Sequence, residues 1–377
     1  LNTLQSTGGG SPLAAWPSWA RRKAVQAEGL ESGALVTTCC VVLDEPIRHA
    51  AQGGAFEDRA PWWGGDLQTL RNIVMRRTEP LPGRAKSVEF EMRDGSGDRL
   101  KGTLSEPEAP DTQSPLVVLI HGLTGCEDSD YMRASARFHL TRGRIVLRLN
   151  LRGAGPGQAL SNNFYHAGSA PDVQSVLEGL DPSLTGNGVV LIGYSLGGNV
   201  LLNWLGRADA PPFVTGAATV SAPIEPAQAC ERILQPRNAL YHHFLIQRMK
   251  RDVLASCALS PEERRTIADT HTVFEFDDRW VAPRNGFAGA EDYYTRTAGA
   301  QFVPDIAIPT LMIHAANDPW IPAEPYLHAG DRGNPNVEIR LARSGGHLGF
   351  HESGEREAWH DRMIDAFIRD LGVTRGL

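Results

Sequence analysis

Apolar positions change their spacing along this chain, and the changes mark out its elements. "SVEFEMRDG" alternates apolar and polar residues, and "LKGTLSEP" follows after a Gly-containing turn; together they predict an early antiparallel pair of strands. Three later runs, "PLVVLIHG", "RIVLRLNLRG" and "GVVLIGYS", are nearly continuous in Val, Leu and Ile, with helix-length segments between them. Such runs alternating with helices predict a parallel sheet covered on both faces, an α/β fold. The pattern resumes in "FVTGAATVSAP", "IPTLMIHAANDP" and "VEIRLARSGGH".

Between the first two of these lies an interruption at about 224–303 that reads as helical. "RNALYHHFLIQRMKRDVLA" has helical length and apolar spacing, and Ser260-Pro261-Glu262-Glu263 supplies an N-cap, a first-turn proline and the acid of a capping box. The interruption is expected to be a helical cap inserted after the sixth strand. At the end of the chain Trp359, Met363, Phe367 and Leu371 recur at helical spacing, and Gly372 marks the stop. Residues 1–55 are rich in Gly, Ala, Ser and Pro and show no sustained period. They are read as a poorly ordered N-terminal extension or as sequence upstream of an unusual start codon, and residues 56–377 as the folded domain with its cap.

Composition narrows the function classes. The 377 residues carry a formal net charge of −7 from interspersed acids and bases, without the basic block that would follow a phosphate backbone, which argues against a nucleic-acid partner. No apolar run approaches the roughly 18 residues of a membrane span. The five cysteines, Cys39, Cys40, Cys126, Cys230 and Cys257, lack a paired CxxC spacing and are odd in number, which suggests free thiols and a cytoplasmic location rather than a disulfide framework or a zinc site. The sequence contains no internal repeat and no signal for an oligomeric state.

The chemistry centres on "VVLIGYSLGGNV", residues 189–200. A buried-strand pattern runs into Gly193-Tyr194-Ser195-Leu196-Gly197 and then into a helix pattern. A serine in G-x-S-x-G at such a turn is strained, with its oxygen exposed above the sheet. Gly193 and Gly197 keep side chains out of the turn, and the following helix aims its N-terminal amides at the site. Ser195 is the candidate nucleophile. Its hydroxyl needs a base, and the base needs an acid that fixes its tautomer. Asp318 in "HAANDPW" follows a buried strand stopped by Pro319, and His347 in "SGGHLGF" follows the alternation of Val337, Ile339 and Leu341. His121 in "LIHGLTG" precedes the loop where a backbone amide can face a substrate carbonyl. The amides of Leu123 and Leu196 are the candidate oxyanion-hole pair, worth about 3 kcal/mol each. His242 and His243 are adjacent on a helix and cannot share one face, which argues against a metal site. His360 and Asp365 form an HxxxxD pattern that could suggest an acyltransferase, but both are expected on the solvent side of the last helix.

From about Trp62 onward the motifs "GGDLQTL", "HGLTG", "LNLRG", "YHAG", "GYSLGGN", "VSAPIE", "GFAGAEDYY", "IPTLMIHAANDP" and "GGHLGF" resemble the α/β-hydrolase fold superfamily. More narrowly, the chain is similar to its YheT-type branch, which includes bacterial proteins regarded as esterases, yeast medium-chain fatty acid ethyl ester synthases and animal hydrolases of phospholipids and acylglycerols. The resemblance implies Ser195, Asp318 and His347 as a triad, the amides of Leu123 and Leu196 as the oxyanion hole, and no cofactor or metal. "SAPIE" departs from relatives, which often carry Phe-Asp in place of Ile-Glu. The expected function is a serine carboxylic-ester hydrolase acting on small-molecule esters with short- to medium-chain acyl groups. Acyl transfer to an alcohol, lipase- or phospholipase-like hydrolysis, peptidase or amidase activity and a non-catalytic binding role are the alternatives. A serine at the elbow argues against dehalogenase or epoxide hydrolase chemistry, which on this fold uses an aspartate there.

Overall fold

Strands β3 (Leu116–Ile120), β4 (Val146–Asn150), β5 (Val189–Tyr194), β6 (Val214–Val220) and β7 (Thr310–Ala315) are buried along their whole length, in keeping with their mostly apolar runs. The computed structural model that contains them describes residues 56–75, 79–255 and 259–373, so the extension expected over residues 1–55 lies outside the described residues. The five strands run parallel with β8 (Val337–Ala342). The early antiparallel pair, β1 (Arg84–Glu91) and β2 (Arg99–Glu106), extends the other edge through β4. The eight strands lie in the order β1-β2-β4-β3-β5-β6-β7-β8.

The helices of eight or more residues, in chain order, are α1 (Gly64–Val74), α2 (Asp130–Leu140), α3 (Ala170–Glu178), α4 (Leu196–Leu205), α5 (Pro226–Ile233), α6 (Ala239–Leu254), α7 (Pro261–Ala268), α8 (Ala290–Thr297), α9 (Glu324–Asp331) and α10 (Trp359–Val373). Because side chains alternate along a strand, each central strand feeds both layers. Val117, Leu119, Val190 and Ile192 meet Met132 and Ala136 of α2 and Ile364 and Ile368 of α10. Val118, Ile120 and Leu191 belong to the opposite core with Val173 and Val176 of α3, Leu201 and Trp204 of α4, and Tyr326 of α9. Among the described residues no helix is long and apolar enough to cross a membrane.

The strand order changes direction at β3, whose successor β4 lies on one side and β5 on the other. In open α/β sheets ligands bind at the carboxyl ends of the strands flanking such a switch point. Here those ends lead into the Leu123 loop and the Ser195 turn.

Between β6 and β7 the chain is helical. The capping box of α7 is present, with Glu263 N donating to Ser260 Oγ at 3.1 Å and Ser260 N donating to Glu263 Oε2 at 2.8 Å. Ile246, Met249, Ile267, Phe276, Trp280 and Tyr294 of this segment cluster together with Phe164 and Ala167. Its end is fastened to α4, where Asn199 Nδ2 and Asn203 Nδ2 donate to Thr297 O at 2.9 and 2.8 Å and Gly299 N donates to Asn199 Oδ1 at 2.9 Å.

The last helix corrects two expectations. His360 and Asp365 are not on the surface: their relative exposures are 3% and 7%. The Trp359–Leu371 series is one apolar stripe and His360, Ile364 and Ile368 form a second at the same spacing; the helix packs both against the sheet, the second more deeply. His360 packs on the rings of Tyr194 and Phe350, with centroids 5.9 and 5.5 Å away, while Asp365 pairs with Arg144 at 2.6 Å. The helix also continues through Gly372 to Val373.

Candidate active site

The turn after β5 is tight for a steric reason. A Cβ on Gly193 would stand 2.6 Å from the Gly197 carbonyl oxygen, and one on Gly197 would stand 2.4 Å from the His121 carbonyl oxygen. Ser195 takes φ 49° and ψ −123°, a conformation that side chains resist. It is held there by the sheet, since Ser195 N donates to Val220 O at 2.8 Å. Its side chain makes no capping bond to α4, and its oxygen is left for another partner.

That partner is His347, whose Nε2 lies 3.0 Å from Ser195 Oγ and whose Nδ1 lies 2.8 Å from Asp318 Oδ2. An ionised carboxylate only accepts, so Nδ1 carries the proton and Nε2 accepts from the serine hydroxyl. The other Asp318 oxygen accepts from the backbone N–H groups of Trp320 and Ile321 at 2.8 and 3.0 Å. Burial opposes the charge of Asp318, but the His347 ring and these donors outweigh it and hold the carboxyl below its ordinary pKa.

The His347 loop is fixed by α1, a role that the "GGDLQTL" motif did not disclose by itself. His347 N donates to Thr69 Oγ1 at 2.8 Å and Gly346 N donates to Asn317 Oδ1 at 3.1 Å. Gly346 sits at φ 59°, and a Cβ there would lie 2.3 Å from Gly65 O. Only glycine tolerates both conditions.

Across the switch point, the loop after β3 rests against Ser195: a Cβ on Gly122 would stand 2.8 Å from Ser195 Cβ. His121 lies behind this loop. Its Nε2 accepts from Leu151 N at 3.0 Å, so Nδ1 is the donor to Gly122 O at 2.7 Å. Burial lowers its pKa to about 4, which keeps the ring neutral in that tautomer. Gly122 O and Leu123 N belong to one planar trans peptide, so anchoring the oxygen turns the Leu123 N–H the opposite way. Among the described residues neither the Leu123 nor the Leu196 amide donates to a protein acceptor.

The site's apolar wall comes from the segment between β6 and β7 together with Trp320 in the loop after β7. The Trp320 ring lies 4.5 Å from that of His347, and Tyr241 of α6 lies 5.4 Å from Trp320. Leu123, Leu196, Tyr241, Phe287 and Trp320 are partly buried against that segment's core. Tyr241 Oη donates to Asp66 Oδ1 at 3.1 Å and Arg237 pairs with Asp66 Oδ2 at 2.9 Å, which ties α6 to α1. His242 accepts from Val273 N at 3.2 Å. Among the described residues no group of three His, Cys, Asp or Glu side chains could hold a metal ion. Cys126 and Cys230 are free thiols; Cys39, Cys40 and Cys257 lie outside the described residues.

Comparison with known proteins agrees with this architecture. The model of the alpha/beta hydrolase fold family matches residues 115–354. The protein YheT of Escherichia coli (strain K12), provisionally named an esterase, is 29% identical over 289 residues, 75% of this chain and 83% of that protein. The human phospholipase ABHD3 is 24% identical over 317 residues, 82% of this chain and 77% of its own. The crystal structure of the alpha/beta hydrolase GrgF from Penicillium sp. sh18 superposes with a TM-score of 0.50 at 19% identity, covering 77% of this chain and 99% of GrgF, and so shares the fold.

Proposed function

We propose, from the premise that this chain belongs to the alpha/beta hydrolase fold family, that it is a serine carboxylic-ester hydrolase acting through an acyl-enzyme. The observation that carries the reading is the hydrogen-bonded series Ser195 Oγ, His347 Nε2, His347 Nδ1 and Asp318 Oδ2, at 3.0 and 2.8 Å, lying beside two unspent backbone amides. His347 takes the Ser195 proton as Oγ attacks the ester carbonyl. Asp318 holds the ring in the required tautomer and balances the imidazolium. The amides of Leu123 and Leu196 receive the charge that develops on the carbonyl oxygen. His347 then gives its proton to the departing alcohol, leaving the acyl group on Ser195. A water deprotonated by His347 attacks that ester, and the returned proton restores the serine.

The substrate reading rests on the wall above the site. Its apolar and aromatic residues suit an acyl chain better than a charged or peptide substrate, which favours short- to medium-chain acyl esters. A glycerolipid substrate is the second reading, favoured by Leu240 and Phe244 of α6, which flank Tyr241 in sequence at 76% and 66% exposure. Initial rates on p-nitrophenyl esters from acetate to palmitate, with Ser195→Ala as baseline, test both. A Ser195-dependent optimum at short or medium chains supports the first, and rates rising to the longest chains support the second. Ethanol added as competing acceptor separates hydrolysis from acyl transfer through the ratio of acid to ethyl ester. Absence of Ser195-dependent turnover, together with failure to react with a fluorophosphonate probe, overturns the enzymatic reading.

A further inference from the structure

The Leu123 amide is flanked by two others, and each of these ends on a tyrosine hydroxyl. Gly122 N donates to Tyr131 Oη at 2.8 Å, and Thr124 N donates to Tyr165 Oη at 2.7 Å. We propose that Tyr131 and Tyr165 are positioning residues that select the Leu123 amide as oxyanion donor by engaging the amides on either side of it. The proposal rests on the serine-hydrolase reading and names the side chains that hold its loop in register.

The loop needs such support because of its conformation. Thr124 lies at φ 56°, in the left-handed region where a β-branched residue is strained. A strained residue persists only when its surroundings over-determine it. Thr124 is held at both ends: its N–H by Tyr165, and its carbonyl oxygen by Arg248 Nη2 of α6 at 3.0 Å. If the first of these bonds is lost, relaxation of φ at Thr124 rotates the adjoining peptide. The Leu123 N–H then shifts relative to Ser195.

Both anchors are themselves well fixed. Tyr165 N donates to Arg152 O at 2.9 Å, and the Arg152 guanidinium is gripped by Asp94 and Asp172, each at 2.7 Å. The Tyr165 ring stands at 90° to that of His121, with centroids 5.4 Å apart. Two residues on, Ala167 N donates to Tyr293 Oη of α8 at 2.9 Å. The stretch that positions the loop therefore also carries the segment over the site. Tyr131 belongs to α2 and packs on Tyr194, with ring centroids 5.2 Å apart, so the loop is fixed from two independent elements. Burial raises the Tyr131 phenol to about 12 and moves Tyr165 in the same direction, and both oxygens stay neutral acceptors.

Tyr131→Phe and Tyr165→Phe remove only the accepting oxygens. The test uses the full chain, p-nitrophenyl esters with Ser195→Ala as baseline, and an alkyl boronic acid that becomes tetrahedral on Ser195. For Tyr165→Phe the expected result is a fall in kcat of about tenfold with KM within about twofold, and a boronate Ki weakened by the same factor as kcat/KM. A merely structural role would not tie boronate affinity to kcat in this way. Should Tyr165→Phe fold poorly, Tyr131→Phe is measured in its place, with the same expected tie between boronate Ki and kcat/KM; where Tyr165→Phe does fold, Thr124→Gly supplies a further arm. It relieves the left-handed strain, so adding Tyr165→Phe to it should cost less than about threefold. Ser195-dependent turnover and boronate affinity left intact by both Tyr→Phe variants would overturn the proposal alone. Absence of Ser195-dependent turnover in the unmodified chain would overturn the hydrolase reading and the proposal with it.

Discussion

Two buried histidine–aspartate pairs lie close to the same strand, and they differ in what surrounds them. His347 and Asp318 come from loops after β8 and β7 and meet at 2.8 Å, with Ser195 Oγ on the remaining ring nitrogen. His360 and Asp361 are neighbours on α10, 3.5 Å apart, and the ring of His360 faces Tyr194, the residue just before Ser195. Among the described residues His360 Nδ1 has no hydrogen-bond partner. A histidine can relay a proton when an acid fixes one nitrogen and a substrate-facing hydroxyl occupies the other. His347 meets both conditions. His360 lacks the second, since no hydroxyl occupies its free nitrogen, and acts as packing beneath the strand, so burial beside an acid does not by itself make a catalytic base.

Mutation at the two pairs should separate them sharply. Ser195→Ala or His347→Ala should lower kcat on a p-nitrophenyl ester by at least about 10³-fold, and the double variant should be little worse than either single one. Asp318→Asn should follow with a loss of about 10²-fold or more, because the amide no longer enforces the Nδ1–H tautomer. In both cases thermal melting should remain close to that of the unmodified chain. His360→Ala should give the opposite profile. It leaves a cavity behind Tyr194 and should cost about 2 kcal/mol of stability in urea unfolding, with kcat within about threefold. Equal kinetic losses at His347 and His360 would break the comparison and reopen the assignment of the base.

The smallest predicted effect is a pH dependence of stability. Burial lowers the pKa of His121, His166 and His314 to about 4, and those of His139 and His360 also fall. Between the ordinary value of 6.5 and about 4, the unfolded chain binds protons that the folded chain refuses. This contribution is therefore fully present above pH 6.5 and is lost as pH falls towards 4. Asp277 works the other way, since burial raises its carboxyl to about 7 and the folded state keeps a proton that the unfolded chain releases. The histidines outnumber it, so the melting temperature should fall on acidification from pH 7.5 to 5. His314→Phe, which keeps a ring stacked on Tyr326, should flatten the slope. An unchanged slope would show that His314 takes up its proton in the folded state.

Legibility in the sequence followed the range of the interaction. Strands buried on both faces are mostly apolar, and for that reason β3, β5 and β7 could be read directly. The capping box of α7 is local and could be read as well. His360 was misplaced because attention to the Trp359–Leu371 stripe hid the Ile364–Ile368 stripe beside it, and only the packing of α10 on the sheet shows that both are covered. The two tyrosine anchors left no pattern. Tyr165 and Thr124 are 41 residues apart, and Thr69 and His347 are 278 apart.

The sequence by itself determined the α/β sheet, the strained serine turn and the succession of Ser195, Asp318 and His347 at strand ends, because apolar runs and glycine-bounded turns answer to local sterics and burial. The tertiary structure alone decided that the three side chains meet, that α1 locks the His347 loop, that two tyrosines grip the amides around Leu123, and that His360 is packing. Those outcomes depend on sheet order, register and the φ of single loop residues, which bring together groups that the chain keeps far apart.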